Sequence, residues 1–511
     1  MSQKHNILYF IFTISGLSLL SKVLGLFREG VIAGYFGITA ETDLYFFIYS
    51  VFTTLIAISI TPIATSYLPI FVFKREQLGE QVAVNHFTKL LQQFFVISFF
   101  IALSVNVILC FIDIPSLGNT WQMGNKDAIF YIRLFSLIFF LGGSIQIFSS
   151  VLNGVKQYGK FQIATTLQNV VVIIFVLLFG KHLGVRTLVL AVTVAYLLQF
   201  IYMSVELYGK RGNRIVLSGD IIHDKELSSV YKSIIPVAFG AESYLLCLTI
   251  DKAIGKSLGI EGAVSALNYA GLLYGLVNTV IIMAVVTVYY TEFTSVNIKK
   301  GEKYVLEMLN DAIVSISFIL VPLVVFLSFN AEDFITIVLK RGKFTEQSVL
   351  FTALPFTIYI LNSPIYAIRS LIIRIFYVFK NVKIPMYNGI AYVFCSMILG
   401  LVFSKIWGLW GITLAALLVS SVSCLFLFLV LKKRFLYEVK GVYTPLLKII
   451  AAVIVSLLSG VIFSINLNSS WVNLGVNGVV FMSVYLVILY FLRFEKLTFL
   501  LDRVKSKLRN K

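Results

Sequence analysis

Apolar runs long enough to cross a membrane recur along this 511-residue chain from one end to the other. A helix needs about 20 predominantly apolar residues to span a hydrocarbon core about 30 Å thick. Lipid offers the backbone no hydrogen-bonding partner, so each segment must satisfy its own amides, and a helix does this within itself. The runs are too long and too uniformly apolar for the alternating strands of a membrane barrel. Composition agrees: 59% of residues are hydrophobic and 13% charged, where soluble domains have about 45–50% and about 25%. The expected fold class is an all-α polytopic membrane protein, and a soluble enzyme with a buried core is excluded.

Hydropathy places fourteen spans, at about 8–36, 43–73, 87–112, 128–152, 161–180, 186–208, 229–256, 263–294, 304–328, 347–379, 384–404, 407–431, 446–466 and 471–492. With a cytoplasmic N-terminus the inner loops hold Lys74 and Arg75, Lys156 and Lys160, Lys210, Arg211 and Arg214, Lys299, Lys300 and Lys303, Lys380 and Lys383, and Lys432, Lys433 and Arg434. The C-terminal tail adds Arg503, Lys505, Lys507, Arg509 and Lys511. The outer loops are poor in base apart from "LKRGKF", Leu339 to Phe344. This bias follows the positive-inside rule and puts both termini in the cytoplasm. Trp121, Trp407, Trp410 and Trp471 fall at outer boundaries, where indole prefers the interface. The formal charge of +18 lies mostly in the inner loops and tail, facing an anionic leaflet, and calls for no nucleic acid.

The first apolar run is longer than a signal-peptide core, contains charges and lacks a small-x-small exit, so cleavage is not expected. Cys110, Cys247, Cys395 and Cys424 all lie in apolar runs, with neither a disulfide framework nor metal spacing. His5, His86, His182 and His223 lie in or near loops and cluster with nothing.

An internal repeat organises the chain. Gly37-Ile38 recurs as Gly259-Ile260, 222 residues on, and the same offset sets Glu29 against Asp251. "YGKF" (Tyr158–Phe161) and "VKIP" (Val382–Pro385) place Lys160 opposite Lys383 at an offset of 223. The expected division is an N-lobe over 1–222 with spans 1–6, a C-lobe over 223–440 with spans 7–12, and an added pair over 441–511 with the basic tail. Two like-oriented repeats are the arrangement of alternating-access transporters.

Charges inside the spans mark the candidate site, because a charge at the bilayer centre costs about 2.5–3.5 kcal/mol on insertion scales and faces a bundle interior or a wet cavity. In "SKVLGLFREGVIAGYFG", Ser21, Gly25 and Arg28 share one helical face, with Lys22 and Glu29 beside it. Span 7 repeats the pattern with Glu242, Asp251 and Lys252, and span 10 contributes Arg369 and Arg374. Gln146, Asn153, Gln168, Asn169, Asn268 and Asn362 add polar amides. Arg374 and Lys252 either line the cavity or snorkel to an interface. Asp43 either joins the site or caps span 2. A cavity with basic groups suits an anionic head group, above all a diphosphate, which guanidinium binds with paired donors. Glu29, Glu242, Asp251 and Lys252 are the candidates for coupling to membrane potential, sodium or protons. No cofactor is expected.

At these residues the chain resembles the MurJ (MviN) family of lipid II flippases, within the larger group that includes MATE transporters and polysaccharide flippases. The family's Ser-Arg-x-Leu-Gly-x-x-Arg-Asp reads here Ser21-Lys22-Val23-Leu24-Gly25-Leu26-Phe27-Arg28-Glu29, followed by Phe36-Gly37 and Thr42-Asp43. "YLPIF" (Tyr67–Phe71), "LN" (Leu152-Asn153) with "YGKF", "SALNYAGLLYG" (Ser265–Gly275), "KRGKFT" (Lys340–Thr345) and "RIFYVFKNVKIP" (Arg374–Pro385) extend the resemblance in order from span 1 to span 11. It implies fourteen helices, two six-helix lobes around a central cavity, a bacterial plasma membrane, and movement of a polyprenyl-diphosphate glycolipid between leaflets. It puts Lys22 and Arg28 in the places of cavity bases, Glu29 in that of their acidic neighbour, and Asp43 in that of the acid opening span 2.

The sequence departs from the family at three places. A basic pair in span 2 is replaced by Leu55-Ile56, an arginine early in span 8 by Gly271-Leu272, and Glu242 stands where a small polar residue is expected. A capsule or exopolysaccharide precursor is therefore an alternative to lipid II. A membrane ligase or polymerase would need a sizeable outer loop, and no nucleotide or metal motif is present. A MATE-type cation-coupled exporter would prefer acids where Arg28 stands, while a scaffold without transport activity leaves no signature. The expected partners are the lipid-linked glycan and membrane lipids; oligomeric partners are not legible.

Overall fold

The computed structural model describes the chain except residues 1–19, 112–124, 156, 210–223, 233, 235–242, 440, 463–468, 499–501 and 503–511. Every element among the described residues is helical. A helix over 20–36 (α1) leads into α2 (Ala40–Leu78), α3 (Glu80–Phe111), α4 (Asn125–Gly154), α5 (Tyr158–Leu183) and α6 (Arg186–Ser204), which a π-helical turn over Val205–Gly209 extends. A short amphipathic helix, α7 (Lys225–Lys232), precedes α8 (Ser243–Ser257). Next come α9 (Ala263–Val277), continuous through the π-turn Asn278–Ile282 with α10 (Met283–Lys300), then α11 (Glu302–Phe329) and α12 (Ala331–Leu339). The chain goes on through α13 (Glu346–Leu361), α14 (Ser363–Val378), α15 (Lys383–Trp407), α16 (Leu409–Phe435), α17 (Tyr443–Ile462) and α18 (Ser470–Phe491).

Eleven helices among the described residues are long and apolar enough to cross a membrane. The first, seventh and thirteenth expected spans correspond to α1, to α7 with α8, and to α17, each described over a shorter stretch. Several helices outrun their apolar cores. At about 1.5 Å per residue, the 39 residues of α2 reach about 59 Å. Lys74 and Arg75 thus ride on the last turns of α2, and Lys299 and Lys300 on those of α10, instead of lying in loops. Cations are favourable there because the helix end presents unpaired carbonyls. Pro62 and Pro69 are accommodated inside α2. Trp407 closes α15, while Trp410 and Trp471 stand in the first turns of α16 and α18. Trp121 lies outside the described residues, as does the side chain of Cys110; Cys247, Cys395 and Cys424 are free thiols.

The contacts divide the chain into two compact units. The first holds the described residues up to Ser265 together with Val338–Thr345; the second holds Ala266–Ile337 and the residues from Glu346 onward. Within the first, α2 packs most extensively on α4 and α5 on α6; within the second, the main pairs are α15 with α16 and α17 with α18. The segment 338–345 joins the first unit by lying on the small-residue face of α1. Lys343 N donates to Gly34 O at 2.8 Å. A Cβ on Gly342, whose φ is +54°, would stand 2.2 Å from Gly34 O, so no other residue fits that approach. The two Gly-Ile turns of the repeat share a backbone conformation: Gly37 and Gly259 both have φ +66°.

Candidate functional site

The polar stripe of α1 is turned toward α5. Ser21 Oγ and Thr165 Oγ1 lie 3.0 Å apart, and Asn169 Nδ2 donates to Ser21 O at 3.0 Å. One turn along, Gly25 leaves room for Asn169, whose amide a Cβ there would meet at 3.6 Å. Two turns along, Arg28 Nη1 donates to Asn169 Oδ1 at 3.0 Å. The same guanidinium donates through Nε (3.1 Å) and Nη2 to Glu29 Oε1. Adjacent positions on a helix point in different directions, so this pair forms only because the long arginine bends back over its neighbour. The Arg28 side chain is 20% exposed and that of Glu29 6%. Glu29 Oε2 has no hydrogen-bond partner among the described residues. Tyr45 and Tyr49, stacked with ring centroids 5.8 Å apart, lie within electrostatic reach of Arg28.

Span 7 joins the same unit through α8. Thr54 of α2 and Thr249 of α8 hydrogen-bond at 2.7 Å. Asp251 is buried, and the half-buried Lys252 lies within electrostatic reach of both Glu29 and Asp251. Lys22 is half-buried on α1. Glu242 lies outside the described residues.

Of the two places open to Asp43, the cap of span 2 is taken by another residue. Thr39 caps α2, in a capping box with Thr42. Asp43 instead accepts from Gly262 N (2.8 Å), Ser265 N (2.7 Å) and Ser265 Oγ (2.6 Å), answering the orphan amides at the start of α9. Ser265 is its own counterpart at the repeat offset of 222.

Arg369 and Arg374 belong to the second unit. Arg369 is 3% exposed. It donates to Ser423 Oγ at 2.8 Å and Asn388 Oδ1 at 3.3 Å, and its guanidinium lies 4.6 Å from the centroid of Tyr392. Arg374 stacks over Tyr290 at 5.3 Å. Neither has an ion-pair partner among the described residues. Arg369 thus meets hydroxyl, amide and ring, and Arg374 the faces of aromatic rings.

The expectation that no histidine clusters is corrected at His86. Its Nε2 lies 3.3 Å from Asp224 Oδ2 and 3.4 Å from Glu226 Oε2, and its Nδ1 lies 3.1 Å from the Tyr67 hydroxyl. Lys74 (2.8 Å to Glu226) and Lys89 (3.3 Å to Asp224) pair with the two carboxylates, so the five side chains form an ion-pair network. Sequence reading missed it because Asp224 and Glu226 lie some 140 positions from His86.

The family model described as "Lipid II flippase MurJ" matches residues 32–486. The chain belongs to the lipid II flippase MurJ family. It is 26% identical over 393 residues to a probable lipid II flippase MurJ of Buchnera aphidicola, covering 75% of each chain. It is 25% identical over 445 residues to the lipid II flippase MurJ of Burkholderia cenocepacia, covering 85% of each. Its fold is similar to that of a lipid II flippase MurJ in an inward closed conformation, with TM-score 0.77 and 19% identity over 94% of this chain and 99% of that one. An inward-facing MATE family transporter of the MOP superfamily has the same kind of fold at TM-score 0.61 and 14% identity, over 82% and 94%.

Thr165, Tyr196 and Gln199 escaped notice in the sequence. The signal was present on α5: Thr165, Gln168 and Asn169 are spaced i, i+3 and i+4 and share one helical face.

Proposed function

We propose that this multi-pass membrane protein moves a polyprenyl-diphosphate-linked glycan, lipid II, from the inner to the outer leaflet by alternating access. The observation that carries the reading is Arg28, a guanidinium held inside helical membrane structure with its plane fixed by Glu29 and Asn169. A guanidinium has five N–H donors. Three are engaged by these neighbours, which leaves two for the oxygens of a diphosphate. Lys22 supplies a second cation on the same helix. Family membership supports the substrate, and the MATE-like fold supports alternating access. The role is translocation, with no bond made or broken.

Arg369 and Arg374 are assigned to the substrate path of the other lobe, and Asp43 to holding the first turn of α9. Glu29, Glu242, Asp251 and Lys252 are assigned to coupling. A driving ion or potential shifts the two states only by acting on them differently, and buried carboxylates able to gain or lose a counter-charge meet that requirement.

The test is translocation in proteoliposomes, with lipid II and a capsule-type polyprenyl-diphosphate oligosaccharide offered side by side. Lipid II is expected to be the substrate moved. Arg28→Ala should abolish flipping with insertion intact, and Arg28→Lys should impair it, because the charge survives but the fork does not. Neutralising Glu29 and Asp251 together should remove the response of transport to imposed sodium, proton or voltage gradients. Transport of neither lipid by the wild type would refute the flippase reading, full activity of Arg28→Ala would refute the site, and an undiminished gradient response would refute the coupling assignment.

A further inference from the structure

Within the first unit, α2, α4, α5 and α6 line a half-open cavity of about 200 Å³ beside the Arg28 network. All of its lining residues are uncharged, and many are polar: Thr53, Gln146, Thr165, Gln168, Tyr196 and Gln199 supply amides and hydroxyls. Gln199 is 2% exposed, and its side chain lines this space. Amides and hydroxyls facing a space are costly to leave without hydrogen-bonding company, so whatever fills it is expected to offer both donors and acceptors. An ionic ligand would find no counter-charge in this wall. A purely apolar one would leave the glutamines unanswered.

The cavity is also physically joined to the proposed diphosphate site. Thr165 faces it and hydrogen-bonds Ser21 at 3.0 Å. Gln168, which hydrogen-bonds Tyr196, directly precedes Asn169, the residue that holds Arg28. A volume of about 200 Å³ equals roughly seven liquid waters at about 30 Å³ each, room for one hexose-sized ring and not for two.

We propose that this cavity is a sugar subsite, which takes the ring of the pyranose attached to the diphosphate while Arg28 holds the diphosphate itself. The ligand class is a hydroxyl- and amide-bearing hexosamine. Primary amides suit it because each offers two donors and an acceptor in one plane to neighbouring ring substituents. The inference rests on the flippase reading and adds the moiety that is recognised.

Binding to the purified full-length protein tests it, using two probes: a short-chain polyprenyl diphosphate alone, and the same diphosphate bearing one N-acetylhexosamine. The wild type should bind the sugar-bearing probe more tightly. Gln199→Leu and Gln146→Leu should each lose about five- to tenfold of affinity for that probe. Both should keep wild-type affinity for the bare diphosphate, which also reports that the variants are folded. Arg28→Ala should weaken both probes together. Equal wild-type affinity for the two probes would mean that the cavity holds only water and would overturn the proposal while leaving the flippase reading standing. Retention of the sugar preference in both glutamine variants would overturn it too. Wild-type binding of neither probe would overturn both readings.

Discussion

Arg28 owes its place to partners it could not find on its own helix. Glu29 neutralises it, but a carboxylate alone leaves the guanidinium plane free to turn. Asn169 stops that rotation, since its Oδ1 accepts from Nη1 while its Nδ2 is tied to Ser21 O. Asn169→Leu is therefore expected to weaken binding of a short-chain polyprenyl diphosphate by about tenfold or more, the loss of one hydrogen bond to a charged group at about 1.5–3 kcal/mol. Calorimetric titration checks this, and unchanged affinity would remove Asn169 from the site. The charges themselves were legible in the sequence, because a chain keeps arginine and glutamate in hydrocarbon only for a reason. Their partners were not legible. Asn169 lies 141 positions from Arg28, and nothing in one sequence pairs residues across helices. Arg369 teaches the same lesson: its partners Ser423, Asn388 and Tyr392 come from other helices, and one sequence does not pair them with it.

At the scale of elements, α7 shows how a short helix is held against longer ones. Its apolar face buries Leu227 and Val230, and Asp224 caps its first turn through the amides of Glu226 (3.0 Å) and Leu227 (3.2 Å). Burial works against the Asp224 charge, but the Leu227 amide, Lys89 and His86 outweigh it and hold the carboxyl below its usual range. Lys74 on α2 pairs with Glu226 on α7, which meets the same His86. A group whose folded pKa is depressed lends stability above its unfolded value, about 3.9 for aspartate, and loses it as pH falls through the lower folded value. A spin label on Ser228→Cys should therefore stay immobile from neutral pH down to about pH 4 and gain mobility below it. Asp224→Asn should be mobile already at neutral pH. An identical spectrum for both proteins across that range would exclude the clip. The helices were legible from apolar length alone. The clip was not, since Asp224 and Glu226 lie far along the chain from the Lys74, His86 and Lys89 that they meet. The repeat lies between these cases: Gly37 and Gly259 were matched as letters and have the same left-handed backbone.

At the scale of the whole molecule, one expectation remains a matter of orientation. The inner-loop bases named from the sequence sit largely on helix ends, as with Lys74, Arg75, Lys299, Lys300 and Lys432 to Arg434. There they favour both the helix terminus and an anionic leaflet, and these two preferences point to the same side of the membrane. The basic segment Lys340–Lys343 runs against the rule, and the structure gives its reason: it is pinned to α1 by backbone contact at Gly34 and Gly342, so its place is set by packing and not by charge. With that exception accounted for, both termini are predicted to be cytoplasmic. Ser469 immediately precedes α18, and Lys433 is exposed on the last turn of α16. In intact cells of a variant free of other reactive thiols, Ser469→Cys should react with a membrane-impermeant maleimide, while Lys433→Cys should react only after permeabilisation. The reverse pattern would invert the topology and, with it, the direction of transport assigned to the protein. Labelling of both sites from outside would mean that α17, the one helix between them, does not cross the membrane, and would break the link between the loop charges and the fold.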